Sequence, residues 1–262
     1  MTFCAMARCP RTGAVGAAVA TFSVNVGRVS PLYTGLTPRF EASGGMIFVH
    51  SSVSLGTGQV GLDALRSGRD LDEVIDAMAS HDSHWAWRQV TVMRPSGEVR
   101  VVTGTESAGP WAGDRSGDGW TVSGNALRGA GVVDAMASAV VDDGAALSER
   151  LMRTLEAGRA AGGQADPKTG EPLTELSAVL LVFDGERAVP RVDLRIDYDP
   201  LAVPRLRALH DYTGPVGDYY DAMELCPNAM ISYLRERGVY DAMPHFRQFR
   251  DPKTLTLRGY PS

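Results

Sequence analysis

The sequence predicts an α+β protein in which antiparallel sheets carry segregated layers of helices. Strand signals come first, followed by two helix signals, more strands, two further helices and strands again. This order favours segregated layers over a βαβ alternation. The 262 residues are 44% hydrophobic and 22% charged, so the chain can bury a sizeable core without a disulfide or a metal.

The predicted elements extend from the first residues to about residue 211. In order they are strands at 3–7, 15–24 and 45–55, helices at 57–67 and 71–80, strands at 87–94, 98–104 and 119–124, helices at about 130–142 and 145–160, strands at 177–184 and 189–197, and a helix at about 200–211. The Gly-rich stretch 162–175 is predicted to be a loop. We expect one domain over residues 1–212 and an extension over 213–262 that packs on it or on a partner subunit.

Local signals justify these elements. The turn sequence Cys-Pro-Arg-Thr-Gly separates the first two strands, which indicates a hairpin, and Pro95-Ser96-Gly97 separates two later strands in the same way. The helix that follows residue 57 has its apolar residues on one side. Asp70 is a suitable N-cap for the next helix, which has Glu73 in its first turn.

Charge and cysteine content exclude several classes of protein. The net charge is −5, and Lys168 and Lys253 are the only lysines among 26 cationic residues, so Schiff-base chemistry and nucleic-acid binding are disfavoured. No apolar run in the sequence is long enough to cross a membrane. Three unevenly spaced cysteines form neither a disulfide framework nor a zinc site, and they suit a reducing cytoplasm. We expect no metal and no cofactor.

Two motifs suggest contacts with a ligand. Gly56-Thr-Gly-Gln-Val-Gly61 matches the G-x-G-x-x-G pattern, but the acidic residue that should end a second parallel strand falls inside a predicted helix. The alternative is a tight strand-to-helix turn whose N–H groups, including that of Gly58, serve a carboxylate or an oxyanion. His50 interrupts an apolar strand just before Ser52, so it is either a hydrogen-bonded core residue or a substrate contact.

The N-terminus offers a candidate nucleophile. Thr2 follows Met1, and its small side chain permits removal of the initiator methionine. A free Thr2 would carry a hydroxyl nucleophile and, as its base, an α-amine with a pKa of about 7.7–8.0. Cys4 projects to the same face of the strand and is the alternative nucleophile, although it needs a separate base.

The chain resembles domain-of-unknown-function family 1028, which belongs to the N-terminal nucleophile (Ntn) hydrolase superfamily, over residues 1 to about 212. The resemblance lies in an ordered series of segments, namely Thr2–Gly13, Gly16–Thr21, Val26-Gly27, Pro31, Gly58–Gly68, Gly124–Leu127, Val132–Met136, Leu155–Gly163, Ser177–Leu181 and Val192–Arg195. It implies a four-layer αββα sandwich of two antiparallel sheets.

The same resemblance implies roles for particular residues. Thr2 is similar to the residue that serves as nucleophile and base in the superfamily. Asn125 and the N–H groups from Ser54 to Gly58 are similar to the groups that donate hydrogen bonds to the oxyanion or the substrate. Asp193 would orient groups near the ends of the sheets or form a structural ion pair. The sequence differs from the pattern of the family and superfamily at other positions. Thr21 and Ser23 occupy the region of the usual acidic partner, His50 replaces a glutamine, and no lysine precedes Lys168.

These expectations combine into one hypothesis and its alternatives. We expect a hydrolase that cleaves a linear amide bond of a small-molecule metabolite, with Arg28 as a candidate clamp for a substrate carboxylate. The alternative from another class is a non-catalytic ligand-binding or assembly protein on the same scaffold. We also expect a cytoplasmic homodimer or higher homo-oligomer.

Overall fold

The computed structural model describes residues 1–29, 33–34, 44–107, 109–184 and 190–225, together with residues 236 and 238; the side chains of 28–29, 33–34 and 214–225 lie outside the description. The strands are β1 Thr2–Arg8, β2 Val15–Thr21, β3 Tyr33–Thr34, β4 Met46–Ser51, β5 Arg88–Met93, β6 Val99–Thr103, β7 Trp111–Gly117, β8 Trp120–Leu127, β9 Gln164–Ala165, β10 Pro172–Leu173, β11 Ser177–Phe183 and β12 Val192–Ile196. The helices are α1 Val26–Val29, α2 Leu55–Arg66, α3 Leu71–His81, α4 Ala130–Val140, α5 Leu147–Ala160 and α6 Ala202–Leu225, with a 3-10 turn at Trp85–Trp87.

The larger sheet has eight strands and places the start of the chain at its centre. Its order is β10-β9-β8-β1-β2-β11-β12, and β7 also pairs with β8. Every pairing is antiparallel. Because β1 lies between β8 and β2, Thr2 is opposite Asn125 on one side and opposite Thr21 on the other.

The smaller sheet has four antiparallel strands in the order β3-β4-β5-β6. His50 near the end of β4 lies opposite Gln89 of β5. Gln89 in turn lies opposite Thr103 of β6. The polar residues of this sheet are thereby brought together at one end of its strands.

Three apolar cores hold the elements together. The first lies between one face of the larger sheet and helices α4, α5 and α6, where Phe3 and Leu151 are fully buried. The second fills the space between the two sheets and includes Met6 and Phe48. The third joins the other face of the smaller sheet to α2 and α3, and includes Leu65. Both faces of each sheet are thus covered.

Alternation along β1 decides which side chains enter the space between the sheets. Phe3 and its neighbours at every second position point to α4 and α5, whereas Cys4 and Met6 point into the core between the sheets. Since side chains at i and i+2 of a strand share a face, Thr2 points the same way as Cys4. The first residue of the strand therefore faces the smaller sheet.

Close packing explains the glycines of the G-x-G-x-x-G sequence. Gly56, Gly58 and Gly61 lie inside α2, rather than in a loop before it. A Cβ on Gly61 would be 2.5 Å from the Met78 sulfur and 2.7 Å from a terminal carbon of Ile47. Gly61 thus allows α2 to approach α3 and β4, which is a packing role.

Several predictions from local sequence are confirmed. β1 and β2 form the predicted hairpin, and β5 and β6 form the second one. Asp70 caps α3 through a capping box, in which its side chain accepts from the Glu73 N–H and the Glu73 side chain accepts from the Asp70 N–H. The fold class is α+β with two antiparallel sheets, as expected.

Other element predictions were wrong. The strand predicted at 45–55 ends at Ser51, because Ser54 is the N-cap of α2 and its side chain accepts from the Thr57 N–H. β7 was missed because its sequence, Trp-Ala-Gly-Asp-Arg-Ser-Gly, has low strand propensity and depends on pairing with β8. The predicted loop at 162–175 contains the short strands β9 and β10.

The helix predicted to end at residue 211 instead continues as α6 to Leu225, although glycine and proline within it predict a stop. The chain forms two compact units, Met1–Arg207 and Ala208–Ser262. Among the described residues, no helix is both long and apolar enough to cross a bilayer.

Candidate functional site

A cluster of polar side chains is buried between the two sheets, at the end where β1 begins. We call it the inter-sheet polar cluster, and its members are Thr2, Cys4, Thr21, His50, Gln89, Thr91, Ser123 and Asn125. None of them is more than 7% exposed. Polar groups buried this deeply are retained only when hydrogen bonds satisfy them. Their hydrogen bonds therefore define what the site can do.

The Thr2 hydroxyl has a defined direction. Its Oγ1 lies 3.3 Å from Oγ1 of Thr21. Thr21 donates its one hydroxyl hydrogen to the carbonyl oxygen of Met1 at 2.5 Å, and it also accepts from the Ser23 N–H at 3.2 Å. Because the Thr21 hydrogen is used on Met1, Thr21 can only accept from Thr2. The Thr2 hydrogen thus points at Thr21.

Main-chain hydrogen bonding sets the orientations of the two side-chain amides in the cluster, those of Gln89 and Asn125. Gln89 Nε2 donates to Thr103 Oγ1 at 2.8 Å and to the Gly124 carbonyl at 2.9 Å. Its Oε1 is therefore turned to Asn125, whose Nδ2 donates to it at 3.1 Å. The second Nδ2 hydrogen of Asn125 goes to His50 Nδ1, also at 3.1 Å. Both donors of Asn125 are used, whereas its Oδ1 is buried without a partner.

His50 is held as a neutral imidazole. Since Nδ1 accepts from Asn125, the ring proton is on Nε2, which lies 3.5 Å from the hydroxyl oxygens of both Thr91 and Ser123. Burial, together with a smaller effect of the nearby N-terminal ammonium, lowers the pKa of His50 to about 3. The residue is therefore an uncharged hydrogen-bonding group at neutral pH, and it is too weak a base to take a proton from a hydroxyl.

The N-terminal amine of Met1 lies near this cluster. Met1 is partly buried, and burial lowers the pKa of its ammonium group to about 6. The terminal ammonium acts electrostatically on His50, which shows that the two groups are near one another. A terminal amine with this pKa is mostly unprotonated at neutral pH, so it can act as a base.

Cys4 lies in the same cluster but is held as a thiol. Its side chain is 1% exposed, and its sulfur is 3.1 Å from Ser123 Oγ. Burial raises the pKa of the thiol to about 11, despite hydrogen bonds that act in the opposite direction. Cys4 and His50 are the only conventional metal ligands in the cluster. In the described part of Met1–Arg207, no three histidine, cysteine or acidic side chains converge closely enough to hold a metal.

Ser23 and Ser52 border the cluster through main-chain contacts. The Ser23 N–H donates to Thr21, and its carbonyl accepts from Ser177 Oγ at 2.6 Å. The Ser52 carbonyl accepts from Arg88 at 2.9 Å, and its N–H donates to the Trp87 carbonyl at 3.3 Å. These contacts fix the two loops beside the ends of β2 and β4.

Gly58 and Asp193 are not members of the cluster. The Gly58 N–H donates to the Ser54 carbonyl at 3.2 Å, so it belongs to the first turn of α2 and is not free for a ligand. Asp193 on β12 forms an exposed ion pair with Arg195 at 2.7 Å, which agrees with the structural alternative. Arg28 belongs to α1, but its side chain lies outside the described residues.

Sequence reasoning missed Gln89, Thr91 and Ser123, which connect the cluster. A signal for them exists in the strand sequences. β5 has polar residues at alternate positions, Gln89 and Thr91, within an otherwise apolar run, and β8 repeats this with Thr121, Ser123 and Asn125. Two strands with polar residues on one face predict that those faces meet in a polar site.

Together, these features define an α+β protein of two antiparallel sheets with a buried polar site at the start of its central strand. The chain belongs to the family of unknown function DUF1028, whose model matches residues 2–206. The match begins at Thr2 and covers the whole inter-sheet polar cluster.

Two solved structures are similar to this chain. Protein SPO2555 from Silicibacter pomeroyi, a DUF1028 protein, has 30% sequence identity and a TM-score of 0.68, with 81% of this chain and 88% of that chain covered. Anbu (ancestral beta-subunit) from Yersinia bercovieri has 12% identity and a TM-score of 0.40, with 80% and 92% covered. No curated protein matches the chain.

Proposed function

We propose that the protein is an Ntn-type hydrolase that cleaves a linear amide bond of a small-molecule metabolite, with Thr2 as nucleophile. The observation that carries the proposal is the position of Thr2, which is buried in the inter-sheet polar cluster, 3.3 Å from the Thr21 hydroxyl and directly after a terminal amine of lowered pKa. The proposal requires removal of Met1. It includes a four-layer αββα sandwich, and the three apolar cores support that layer order.

The α-amine of Thr2 is the proposed base. Removal of Met1 would make the Thr2 nitrogen the chain terminus, next to the position where burial lowers the pKa of the Met1 amine to about 6. Within the inter-sheet polar cluster there is no carboxylate and no lysine, and the pKa of His50 is about 3. The amine is therefore the only group of the cluster that takes a proton readily at neutral pH.

The reaction then proceeds through an ester. Thr2 Oγ1 attacks the amide carbon while its proton moves to the α-amine, and the α-amine passes that proton to the leaving nitrogen as the C–N bond breaks. Water attacks the ester, giving one proton to the α-amine. The ester C–O bond breaks, Thr2 Oγ1 takes that proton back, and the carboxylic acid leaves. Each step is balanced in protons, and no step needs a second charged residue as proton donor or acceptor.

The protonation state of Cys4 favours Thr2 as the nucleophile. The thiolate is the reactive form of cysteine, and burial raises the pKa of Cys4 to about 11. At neutral pH the thiolate fraction is on the order of one in ten thousand. The Cys4→Ala variant is therefore expected to keep its activity.

Hydrolysis of a panel of N-acylated amines and amino acids tests the proposal. We expect the wild type to release amine from at least one member, Thr2→Ser to keep part of the activity, and Thr2→Ala to lose it. Cys4→Ala is the matched control, since it lies on the same strand and face. Full activity in Thr2→Ala, or loss only in Cys4→Ala, would contradict Thr2 as the nucleophile.

A non-catalytic ligand-binding or assembly protein is the competing outcome of the same experiment. It is indicated if no member of the panel is cleaved while metabolites still raise the melting temperature, since a ligand that binds only the folded state stabilises it. Light scattering tests the associated proposal of a homodimer or higher homo-oligomer. The expected cytoplasmic location is likewise a proposal.

A further inference from the structure

We propose that Asn125 is a positioning residue that holds the α-amine of Thr2 through its Oδ1. This inference rests on the proposed function and adds to it the group that orients the base. Asn125 resembles an oxyanion donor in the sequence, but its hydrogen bonds leave an acceptor open instead of a donor.

The side-chain amide of Asn125 cannot be flipped without losing hydrogen bonds. Gln89 Nε2 is bonded to the Gly124 carbonyl, which can only accept, so Gln89 must present Oε1 to Asn125. Asn125 must then present Nδ2 to Gln89, and the other Nδ2 hydrogen reaches His50. Reversal would place the Gln89 and Asn125 oxygens against each other. Oδ1 of Asn125 is consequently a fixed, fully buried acceptor without a partner.

The strand register places the nitrogen of Thr2 against the same residue. The Arg8 N–H donates to the Gly119 carbonyl at 2.8 Å, immediately beyond the pairing of Ala7 with Trp120. Hydrogen-bonded and non-hydrogen-bonded pairs alternate along an antiparallel ladder, so the even-numbered residues of β1 bond to β8. Thr2 opposite Asn125 is such a pair, and its main-chain nitrogen faces Asn125.

Removal of Met1 would supply the missing donor. The nitrogen of Thr2 then becomes an amine, or an ammonium when protonated, and has additional hydrogens beyond the one directed at the main chain of Asn125. Among the described residues, the buried acceptor without a partner that belongs to the strand position opposite Thr2 is Asn125 Oδ1. A bond to it would direct the nitrogen lone pair toward Thr2 Oγ1 and fix the base beside the nucleophile.

Among the described residues, the members of the inter-sheet polar cluster are uncharged at neutral pH, so a new charge at Asn125 should alter the pKa of the amine. The titratable groups of the cluster are Cys4 on β1 and His50 on β4, and burial keeps both neutral at neutral pH. The other strands contribute only hydroxyls and amides: Thr21 from β2, Gln89 and Thr91 from β5, and Ser123 and Asn125 from β8.

The test is an NMR titration of the Thr2 amine in protein labelled with ¹³C-threonine. We expect Asn125→Asp to raise the amine pKa by about one unit or more, because an opposite charge favours the ammonium. Asn125→Leu should lower it. Ser123→Ala is the matched control, on the same strand and face, and should leave it unchanged. An amine pKa as insensitive to Asn125→Asp as to Ser123→Ala overturns the inference.

Two further outcomes separate this inference from the proposed function. If Met1 is retained, the free-amine signal of Thr2 is missing, and the proposed function and this inference both fail. If the amine is present and the amide panel is cleaved, but the pKa does not respond to Asn125, only this inference fails. If the variants do not fold, a crystal structure of the wild type beginning at Thr2 tests the inference instead. A hydrogen bond between the terminal nitrogen and Asn125 Oδ1 supports the inference, and a separation too long for a hydrogen bond refutes it.

Discussion

The hydroxyl of Thr21 donates its hydrogen to the carbonyl oxygen of Met1, 2.5 Å away. That carbonyl is absent from a chain that begins at Thr2. The Thr21 hydrogen is then available to Thr2 Oγ1, which is 3.3 Å distant. Removal of Met1 would therefore change Thr21 from an acceptor of the Thr2 hydroxyl into a potential donor to it.

This change makes Thr21 a contributor to catalysis in our proposal. We expect Thr21→Val to lower kcat/KM by about 10- to 100-fold, since a hydrogen bond to a charged group contributes about 1.5–3 kcal/mol. Thr21→Ser keeps the hydroxyl and is expected to stay within a few-fold of the wild type. Steady-state kinetics on a cleaved amide measure both. Equal kcat/KM values for the two variants would show that the hydroxyl is not used.

The buried His50 predicts a pH dependence of stability. Its pKa is about 3 in the folded protein and 6.5 in the unfolded chain. Between these values only the unfolded state binds the proton, so the free energy of unfolding falls as pH decreases from 6.5 toward 3. The loss amounts to about 1.4 kcal/mol per pH unit.

Denaturant unfolding at neutral and mildly acidic pH measures this loss. We expect His50→Gln to remain folded at neutral pH, because a glutamine can supply hydrogen bonds to Asn125 and Ser123, and to lose less stability on acidification than the wild type. Identical pH dependence in the two proteins would contradict a neutral, buried His50.

The packing role of Gly61 predicts opposite effects for two glycine substitutions. Gly61→Ala should destabilise the protein by about 1–3 kcal/mol, because the new methyl group overlaps Met78 and Ile47. Gly131→Ala, in the exposed first turn of α4 with no atom within 4 Å of its Cβ, should be neutral or stabilising by up to about 1 kcal/mol. Urea unfolding compares them. A Gly61→Ala variant as stable as Gly131→Ala would refute the packing argument.

The two described cysteines should differ in reactivity. Burial raises the pKa of Cys9, but hydrogen bonds from Thr12 and the main chain together with the charge of Arg11 bring it below the usual value. Cys9 also lines a cavity of about 410 Å³. Cys4 is 1% exposed and Cys9 3%, but the pKa of Cys4 is raised.

Alkylation followed by peptide mapping tests this difference in the native protein. We predict that iodoacetamide modifies Cys9 well before Cys4, and that Cys4 reacts only after denaturation. Early modification of Cys4 would revive it as a candidate nucleophile.

The parts of the fold that depend on local sequence were predictable. The Asp70 capping box and the β1–β2 hairpin each depend on residues close together in the chain. β7 depends on pairing with β8, which overrides its weak local propensity. For the same reason the end of β4 was misjudged, since the cap at Ser54 competes with the strand.

Part of the membership of the candidate site was predictable from the sequence, but its hydrogen bonds were not. Thr2, Thr21, His50 and Asn125 are each visible as polar residues on apolar strands, and all four lie in one cluster. The directions of the Asn125 and His50 hydrogen bonds are set by Gln89, which is fixed by the Gly124 carbonyl of the other sheet. Such a relation spans 35 residues and two sheets, and no local pattern encodes it. The open acceptor of Asn125 followed only from the structure.

The decisive measurement is the mass of the N-terminal peptide of the purified protein, before and after reaction with a β-lactone that acylates nucleophilic hydroxyls. We predict a peptide that begins at Thr2 and carries an ester-linked acyl group on the Thr2 hydroxyl, with no ester in the Thr2→Ala variant. A peptide that retains Met1, or an acyl group found on Cys4 instead, would contradict it.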